Sequence, residues 1–365
     1  MGAKMVDFNG WDMPVEYPPS GERKSGGLIA EHLAVRTGVG IFDVSHMGDI
    51  RVHGPEALAA IQHITINDAS KLNTSQAQYS AMLYPQGTFV DDVIVHKMAD
   101  DDYLIVINAG TREKDCNWVR DNAAGFNCRA DDLSDQFTQI AIQGPRGVDL
   151  LQKLTDANLS AVKFYWFTHG TVCGLKNILI ARTGYTAEDG FEIYVPSDEA
   201  TSARVWYDVL DAGKEFGVLP CGLGARNTLR LEGKLPLYGH EISDTINVWE
   251  AGLDRFCKLD KAEFTGQDEL VRAKAEGITR TLVGLEMVDR GIARDGYKVL
   301  SPIGAEIGYV TSGSPAPFLK KNIALAYVPP SHSTLDTELA IEIRGQAVKA
   351  RVVPTPFYKR PKKSG

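Results

Sequence analysis

The sequence predicts an α+β protein whose last third becomes a small all-β region. Three observations carry that reading: strand-like runs recur with helices between them, no βαβ unit of regular length appears, and after Gly277 only short β-type runs remain, separated by Gly and Pro.

The first clear elements lie between Tyr79 and Ala109. QYSAMLYP reads as a strand, Pro85-Gln86-Gly87 as a turn, TFVDDVIVHKM as a second strand, Ala99 to Asp102 as an acidic turn and YLIVINA as a third strand. Thr111 to Ala124 follows as a helix, with Glu113 in its first turn and Gly125 past its end. A second α+β run starts near Gln136. There QFTQIAIQG is a strand, Pro145 suits the first turn of a helix through VDLLQKL, and KNILIARTG and GFEIYVP are strands around the loop Tyr185 to Gly190. Ser197 is expected to cap the helix DEATSARVWYDVLDAG, which stops at Gly213. Thr265 to Glu269 open a connector helix running to Ala275. TLVGLEM, YKVL, EIGYVTSG, IALAYVP, LAIEIRG and AVKARVV then read as the strands of a closed barrel or a sandwich.

At 365 residues the chain has room for two or three domains, and its 44% hydrophobic and 24% charged content is that of a soluble globular protein. A net charge of −8 argues against a nucleic-acid binder, which needs a basic surface to displace counterions from phosphate. Cys116, Cys128, Cys173, Cys221 and Cys257 are scattered, with no C-x-x-C pair, and read as reduced thiols of a cytosol-like compartment. No stretch is long and apolar enough for a membrane span, and no signal peptide opens the chain, so a cytoplasmic protein without membrane association is expected. The basic tail Lys359 to Lys363 reads as a solvated end.

The common catalytic templates are absent: there is no G-x-S-x-G elbow, no H-E-x-x-H and no Walker loop, and GLGARN begins like a dinucleotide fingerprint but ends in Asn. No two histidines stand four apart, which excludes a helical metal pair; His46, beside Asp43 and Ser45, is open between a structural and a functional role. In a strand, Asp91 and Asp92 point to opposite faces. If Asp92 faces solvent, Asp91 shares the side of Phe89 and Val93. There it must be hydrogen-bonded or held for a cationic or proton-sharing ligand. The other arrangement leaves both exposed at the end of the hairpin. Glu192 poses the same question, since it shares a face with Tyr194, opposite Phe191 and Ile193, and that face is either wet or buried. Arg226 and Arg230, four apart on one helical face, suit either carboxylate recognition or internal ion pairs.

Read together, FDVSHMG, YSAMLYPQGTFVDDVIVHK, ARTGYTAEDGFEIYVP, CGLGARNTLRLEGKLPLYGHEI, FTGQDEL and TSGSPAPFLKKNIALAYV closely resemble, in that order, the aminomethyltransferase family, the T-protein of the glycine cleavage system. The resemblance covers nearly the whole chain. It implies a three-domain cloverleaf around a central folate channel, with a ferredoxin-like domain and a C-terminal β-barrel. Laid over the elements above, it divides the chain into a discontinuous α+β folate-binding domain of residues 1–47 plus 136–250, a second α+β domain of 48–135 carrying the DD strand, a connector of 251–277, and a barrel of 278–365.

The implied reaction moves the one-carbon unit from the aminomethyl-lipoyl arm of a partner H-protein to tetrahydrofolate, giving 5,10-methylenetetrahydrofolate, ammonia and dihydrolipoyl H-protein, with no metal. Carried over residue by residue, Asp91 becomes the key carboxylate, with Asp92 its outward or structural neighbour. Glu192, Tyr185, Arg226, Asn108 and Arg360 become folate-binding residues, and Tyr79 and His46 further members. Three departures stand out. Ala187 occupies a position where the family has Gly, so the loop must avoid positive φ there or carry strain. Arg255 stands where Trp is usual, and the start at MGAKMVDF lacks the family's short leader, which leaves the start open. The alternatives are a folate-dependent demethylase of the same fold and a non-catalytic folate-binding relative. The latter's K-G-C-Y-x-G motif has no Cys counterpart in Gly233 to Gly239.

Overall fold

The computed structural model describes residues 1–21 and 23–361, so Lys362, Lys363 and the end of the expected 278–365 domain lie outside the described residues. The chain forms two compact units, one of residues 1–82, 91–226 and 260–265, the other of 83–90, 227–259 and 266–365.

The first unit is built on two sheets and an N-terminal hairpin, Lys4–Phe8 with Trp11–Glu16. One sheet has six strands in the order Phe167–Val172, Leu175–Ala181, Gly190–Pro196, Phe137–Gln143, Gly40–Asp43 and Leu219–Pro220, antiparallel except for the last pair. The other has five, in the order Gln76–Leu83, Phe89–Ala99, Asp102–Ile107, Gly48–His53 and Arg129–Asp132.

Alternation decides what each face of the six-stranded sheet meets. Phe191, Ile193 and Val195 turn to one side and pack with Ile140, Ile142, Ile178 and Ile180 against Leu150 and Leu151 of the helix Gly147–Gln152 and Val205 and Val209 of the helix Glu199–Ala212. Tyr194, Leu179 and Ala181 turn to the other side and meet Val106 and Ile94 of the five-stranded sheet. Both faces are therefore covered, and the wet alternative for Glu192 fails because a second sheet lies over its side.

Several local expectations change. Asp198, not Ser197, caps the helix Glu199–Ala212: its side chain accepts the Thr201 N–H at 2.9 Å, while the Ser197 hydroxyl donates to the Asp135 carbonyl. The carboxylate one residue later is the better match to the positive helix end. The helix expected from Thr111 runs Arg112–Ala123, after a 3-10 turn at Ala109–Thr111.

In the second unit the six β-type runs close into a barrel, not a sandwich. Its order is Thr281–Met287, Lys321–Val328, Glu306–Ala316, Lys298–Leu300, Glu338–Ile343 and Gln346–Val353, with the last strand pairing to the first. Leu285, Val299, Val310, Ala324, Ala326, Ile341 and Ala350 fill it. The fully buried Arg230 takes the internal-pair alternative: its guanidinium reaches Glu241 at 2.7 Å and donates to the Ser312 hydroxyl at 2.7 Å.

The loop after Ala181 accepts strain rather than avoiding it. Ala187 has a φ of 61°, the left-handed region where a Cβ crowds the backbone. Its surroundings leave no alternative. Arg36 donates to the Thr186 carbonyl at 2.7 Å and pairs with Glu188 at 3.1 Å, and Arg182 holds Asp189 through two bonds of 2.9 and 2.7 Å. Ala187→Gly is accordingly expected to raise the thermal midpoint by about 1–3 °C, relief of strain exceeding the added backbone entropy of the unfolded chain. A scanning-calorimetry comparison with the parent protein checks this, and a lower midpoint contradicts it.

Candidate functional site

The site is assembled where the strand Phe89–Ala99 meets the end of the strand Asp102–Ile107. Ile94 pairs with Val106, and continuing that register by two residues sets Asp92 opposite Asn108. The Asn108 amide nitrogen donates to Asp91 Oδ1 at 2.8 Å and to Asp92 Oδ1 at 3.0 Å, so its two hydrogens bridge the two carboxylates. The Asp pair does diverge across the strand as alternation requires, but what its second face meets differs from expectation.

Asp91 is fully buried on the side of Phe89 and Val93. Its Oδ2 accepts the Asn108 backbone N–H and the Thr111 hydroxyl, each at 3.1 Å, so its carboxylate is tied to the turn that opens the helix Arg112–Ala123. Asp92 is half-buried and turns the other way. The Tyr79 hydroxyl donates to its Oδ2 at 3.0 Å. The expectation that Asp92 faces outward does not hold, and neither does an exposed pair. Burial, followed by the charge of Asp91, pushes the Asp92 carboxyl up to about 7 against the bonds from Tyr79 and Asn108, which favour its charged form. Burial and Asp92 push the Tyr79 phenol well above its usual range, so it remains a neutral donor.

From Tyr79 the cluster continues across to the six-stranded sheet. Tyr185 lies close enough to Tyr79 to act on its ionisation, and the Arg226 guanidinium sits 4.5 Å from the centre of the Tyr185 ring. The Arg226 charge also acts on Glu192, which is half-buried and accepts a hydrogen bond from Thr183. Burial raises the Glu192 carboxyl, while Thr183 and Arg226 hold it back.

Arg226 is placed by its helix, Leu223–Glu232. Just before that helix, Gly222 donates its N–H to the buried Glu31 at 2.9 Å, and a Cβ there would lie 2.5 Å from the Val15 carbonyl. No side chain fits at that position, which fixes the start of the helix against the N-terminal hairpin. Tyr185 is placed by the loop that Arg36 and Arg182 clamp.

The structure thus brings together Glu192, Arg226, Tyr185 and Asn108 of the expected set, with Asp91 behind Asn108. Arg360 belongs to the second unit, after its last barrel strand, and is exposed. Arg255, where a stacking Trp is usual, is also exposed. His46 is buried edge-on to Phe8 at 5.6 Å, and burial with the nearby Arg226 pulls its pKa down to about 3, which keeps the ring neutral. Thr183 and Asp49 escaped the sequence reading. Asp49 is buried, accepts from Gln139, and is raised to about 7 mainly by burial and also by Glu192. The only sequence signal for it was a carboxylate at the start of a β-type run. Among the described residues no group of three His, Cys, Asp or Glu side chains is placed to hold a metal ion, and no helix is long and apolar enough to cross a membrane.

Comparison with known proteins follows the same lines. A family model described as the GCVT N-terminal domain matches residues 1–261, and one described as the glycine cleavage T-protein C-terminal barrel domain matches residues 280–359. A protein named aminomethyltransferase from Koribacter versatilis is 75% identical over 363 residues, spanning 100% of this chain and 94% of that protein. Another of the same name, from Acidobacterium capsulatum, is 68% identical over 364 residues, with 100% and 94% covered. The crystal structure of the glycine cleavage system aminomethyltransferase T from Bartonella henselae superposes with a TM-score of 0.90 at 32% identity, covering 98% of this chain and 95% of that one.

The geometry around Asp92 gives a direct expectation. Tyr79→Phe removes a donor to the charged carboxylate, so the Asp92 midpoint moves upward by about one pH unit. A ¹³C carboxyl titration of the labelled protein checks it; an unchanged or lowered midpoint means that Tyr79 does not hold Asp92 as described.

Proposed function

The chain belongs to the aminomethyltransferase family, the T-proteins of glycine cleavage, and on that premise we propose that it transfers the one-carbon unit of an aminomethyl-lipoyl H-protein to tetrahydrofolate. The products are 5,10-methylenetetrahydrofolate, ammonia and dihydrolipoyl H-protein. The carbon loses its bonds to the lipoyl sulfur and the amino nitrogen and gains bonds to N5 and N10 of the folate. The two protons released from those nitrogens end on the thiol and on ammonia, so the exchange balances without an oxidant.

The observation that carries this reading is the cluster of Asp92, Tyr79, Asn108, Tyr185, Arg226 and Glu192 inside a chain of this family. It offers what a reduced pterin needs. Glu192 is a half-buried acceptor for ring N–H groups, Arg226 supplies donors, and Tyr185 and Tyr79 present flat apolar faces with a polar edge. Asp92 takes the role that the resemblance gave to Asp91. It is aimed into the cluster, whereas Asp91 is turned away from it and engaged by Asn108 and Thr111. Held by a phenol and an amide, neither of which cancels its charge, Asp92 stabilises the positive charge that develops on the migrating carbon and can pass a proton. Asn108 orients it. The folate contact of Arg360 and a cytoplasmic location enter the proposal on resemblance alone.

The test is an assay of ammonia and methylene-folate formation from aminomethylated H-protein; no acceleration by tetrahydrofolate rejects the reading. In that assay Asp92→Asn should lower kcat by about 10²–10³-fold, as removal of one preorganised electrostatic group does. Glu192→Gln should act chiefly on the KM for tetrahydrofolate, raising it about tenfold. Because the charged form of Asp92 is the working one and its pKa is raised to about 7, kcat/KM should climb with pH through neutrality. A profile flat from pH 5 to 8 would exclude Asp92 from that role.

A further inference from the structure

Behind the bridging amide of Asn108 lies another acidic group, which the proposed chemistry does not touch. Asp115, one turn into the helix Arg112–Ala123, is fully buried, and neither of its carboxyl oxygens has a hydrogen-bond donor in place among the described residues. The groups that face it are few. Lys114 Nζ stands 3.5 Å from one oxygen, the Thr111 hydroxyl, which lies 3.1 Å from Asp91 and also acts on Asp115, has a single hydrogen to give, and the remaining neighbour is Asp91 itself, with Asp92 beyond it across the strand.

Two buried carboxyl groups side by side do not both ionise; one keeps a proton and gives it to the other as a hydrogen bond. Which one keeps it follows from the donors. Asp91 accepts an amide N–H, a side-chain amide and a hydroxyl, all of which favour its charged form. Asp115 has Lys114 at 3.5 Å and at most a share of the Thr111 hydroxyl. The proton therefore belongs to Asp115.

We propose that Asp115 is a positioning residue for the transfer reaction: its protonated carboxyl donates to Asp91, Asp91 holds Asn108 through backbone and side chain, and the Asn108 amide fixes the orientation of Asp92. Burial and the charge of Asp91 push the Asp115 carboxyl far above the usual carboxylate range, in keeping with a group neutral at working pH. The relay also bears on charge. With Asp115 neutral, Asp92 faces one buried anion; with Asp115 ionised it would face two, and its pKa would rise further. The inference rests on Asp92 being the working carboxylate, and the experiment separates the two.

Asp115→Asn keeps a donor to Asp91 and stays neutral. Asp115→Ala removes the donor. Both are compared with the parent and with Asp92→Asn in the aminomethyl-transfer assay, across pH, after circular dichroism has established equal folding. Asp115→Asn is expected to keep kcat within about threefold and to leave the acid limb of kcat/KM where it was, whereas Asp115→Ala lowers kcat about tenfold or more, the cost of losing one hydrogen bond to a charged group. If the acid limb of Asp115→Asn moves to lower pH, Asp115 was ionised and the inference fails. If Asp115→Ala is as active as the parent, or Asp115→Asn loses as much as Asp115→Ala, positioning through Asp91 fails while the role of Asp92 stands on its own variant. Full activity of Asp92→Asn overturns both. If Asp115→Ala does not fold, Asp115→Ser, which keeps a shorter donor, replaces it under the same criteria.

Discussion

The constraint on which the first unit turns is the burial of acidic groups among very few donors. Asp91, Asp92 and Asp115 lie in one continuous network, and what they share is a single asparagine amide, one phenol, one hydroxyl, one backbone N–H and, at the margin, the Lys114 ammonium. Desolvation alone would empty such a network of charge. The arrangement instead distributes the donors unevenly. Asp91 receives most of them, Asp115 receives few and is pushed far above the usual carboxylate range by burial and its neighbour, and Asp92 is left near the balance point at about 7. The strand register, the 3-10 turn before the helix and the covering second sheet all serve to fix which oxygen receives which hydrogen.

That uneven distribution also explains what could be read from the sequence. Alternation along TFVDDVIV placed Asp91 on the side of Phe89 and Val93 and separated it from Asp92, and the structure keeps that division. What alternation cannot state is what each face meets. The side of Asp91 meets the turn at Thr111 and the helix bearing Asp115, while the side of Asp92 meets Tyr79 and, past Tyr185, the other sheet. Those partners lie up to about a hundred residues away in sequence, so a local pattern carries no trace of them. Glu192 was ambiguous for the same reason, since its wet or dry face depended on a sheet built from another part of the chain. Signals confined to a turn fared better. The barrel strands and the Gly213 stop were legible, and the capping error at Ser197 was a single residue, whereas the arginine pair stayed open between carboxylate recognition and internal pairing.

The network has a thermodynamic sign opposite to that of ordinary paired carboxylates. Asp92 and Asp49 have folded pKa values raised to about 7, above the unfolded value of about 3.9. The folded state therefore binds more protons than the unfolded one across that interval, and the contribution of these groups to stability declines as pH rises from about 4 to about 7. At neutral pH they destabilise the fold.

A simpler design would put a lysine or arginine where Asn108 stands. A cation there would stabilise Asp92 as an anion and drive its pKa down, removing the cost to the fold. It would also cancel the charge. An Asp92 already neutralised by an ion pair offers little to a carbon acquiring positive charge, and a low pKa makes it a poor proton acceptor at neutral pH. The amide orients without neutralising, and so does the Tyr79 phenol, whose own ionisation is pushed out of range. The same logic applies one step back, because Asp91 can hold Asn108 by both its backbone and its side chain only while it remains an acceptor, and a neutral Asp115 behind it supplies a hydrogen bond without supplying charge. Negative potential is thus kept unspent at the one carboxylate that faces the cluster, and the residues that surround it are chosen for hydrogen-bond direction rather than for charge.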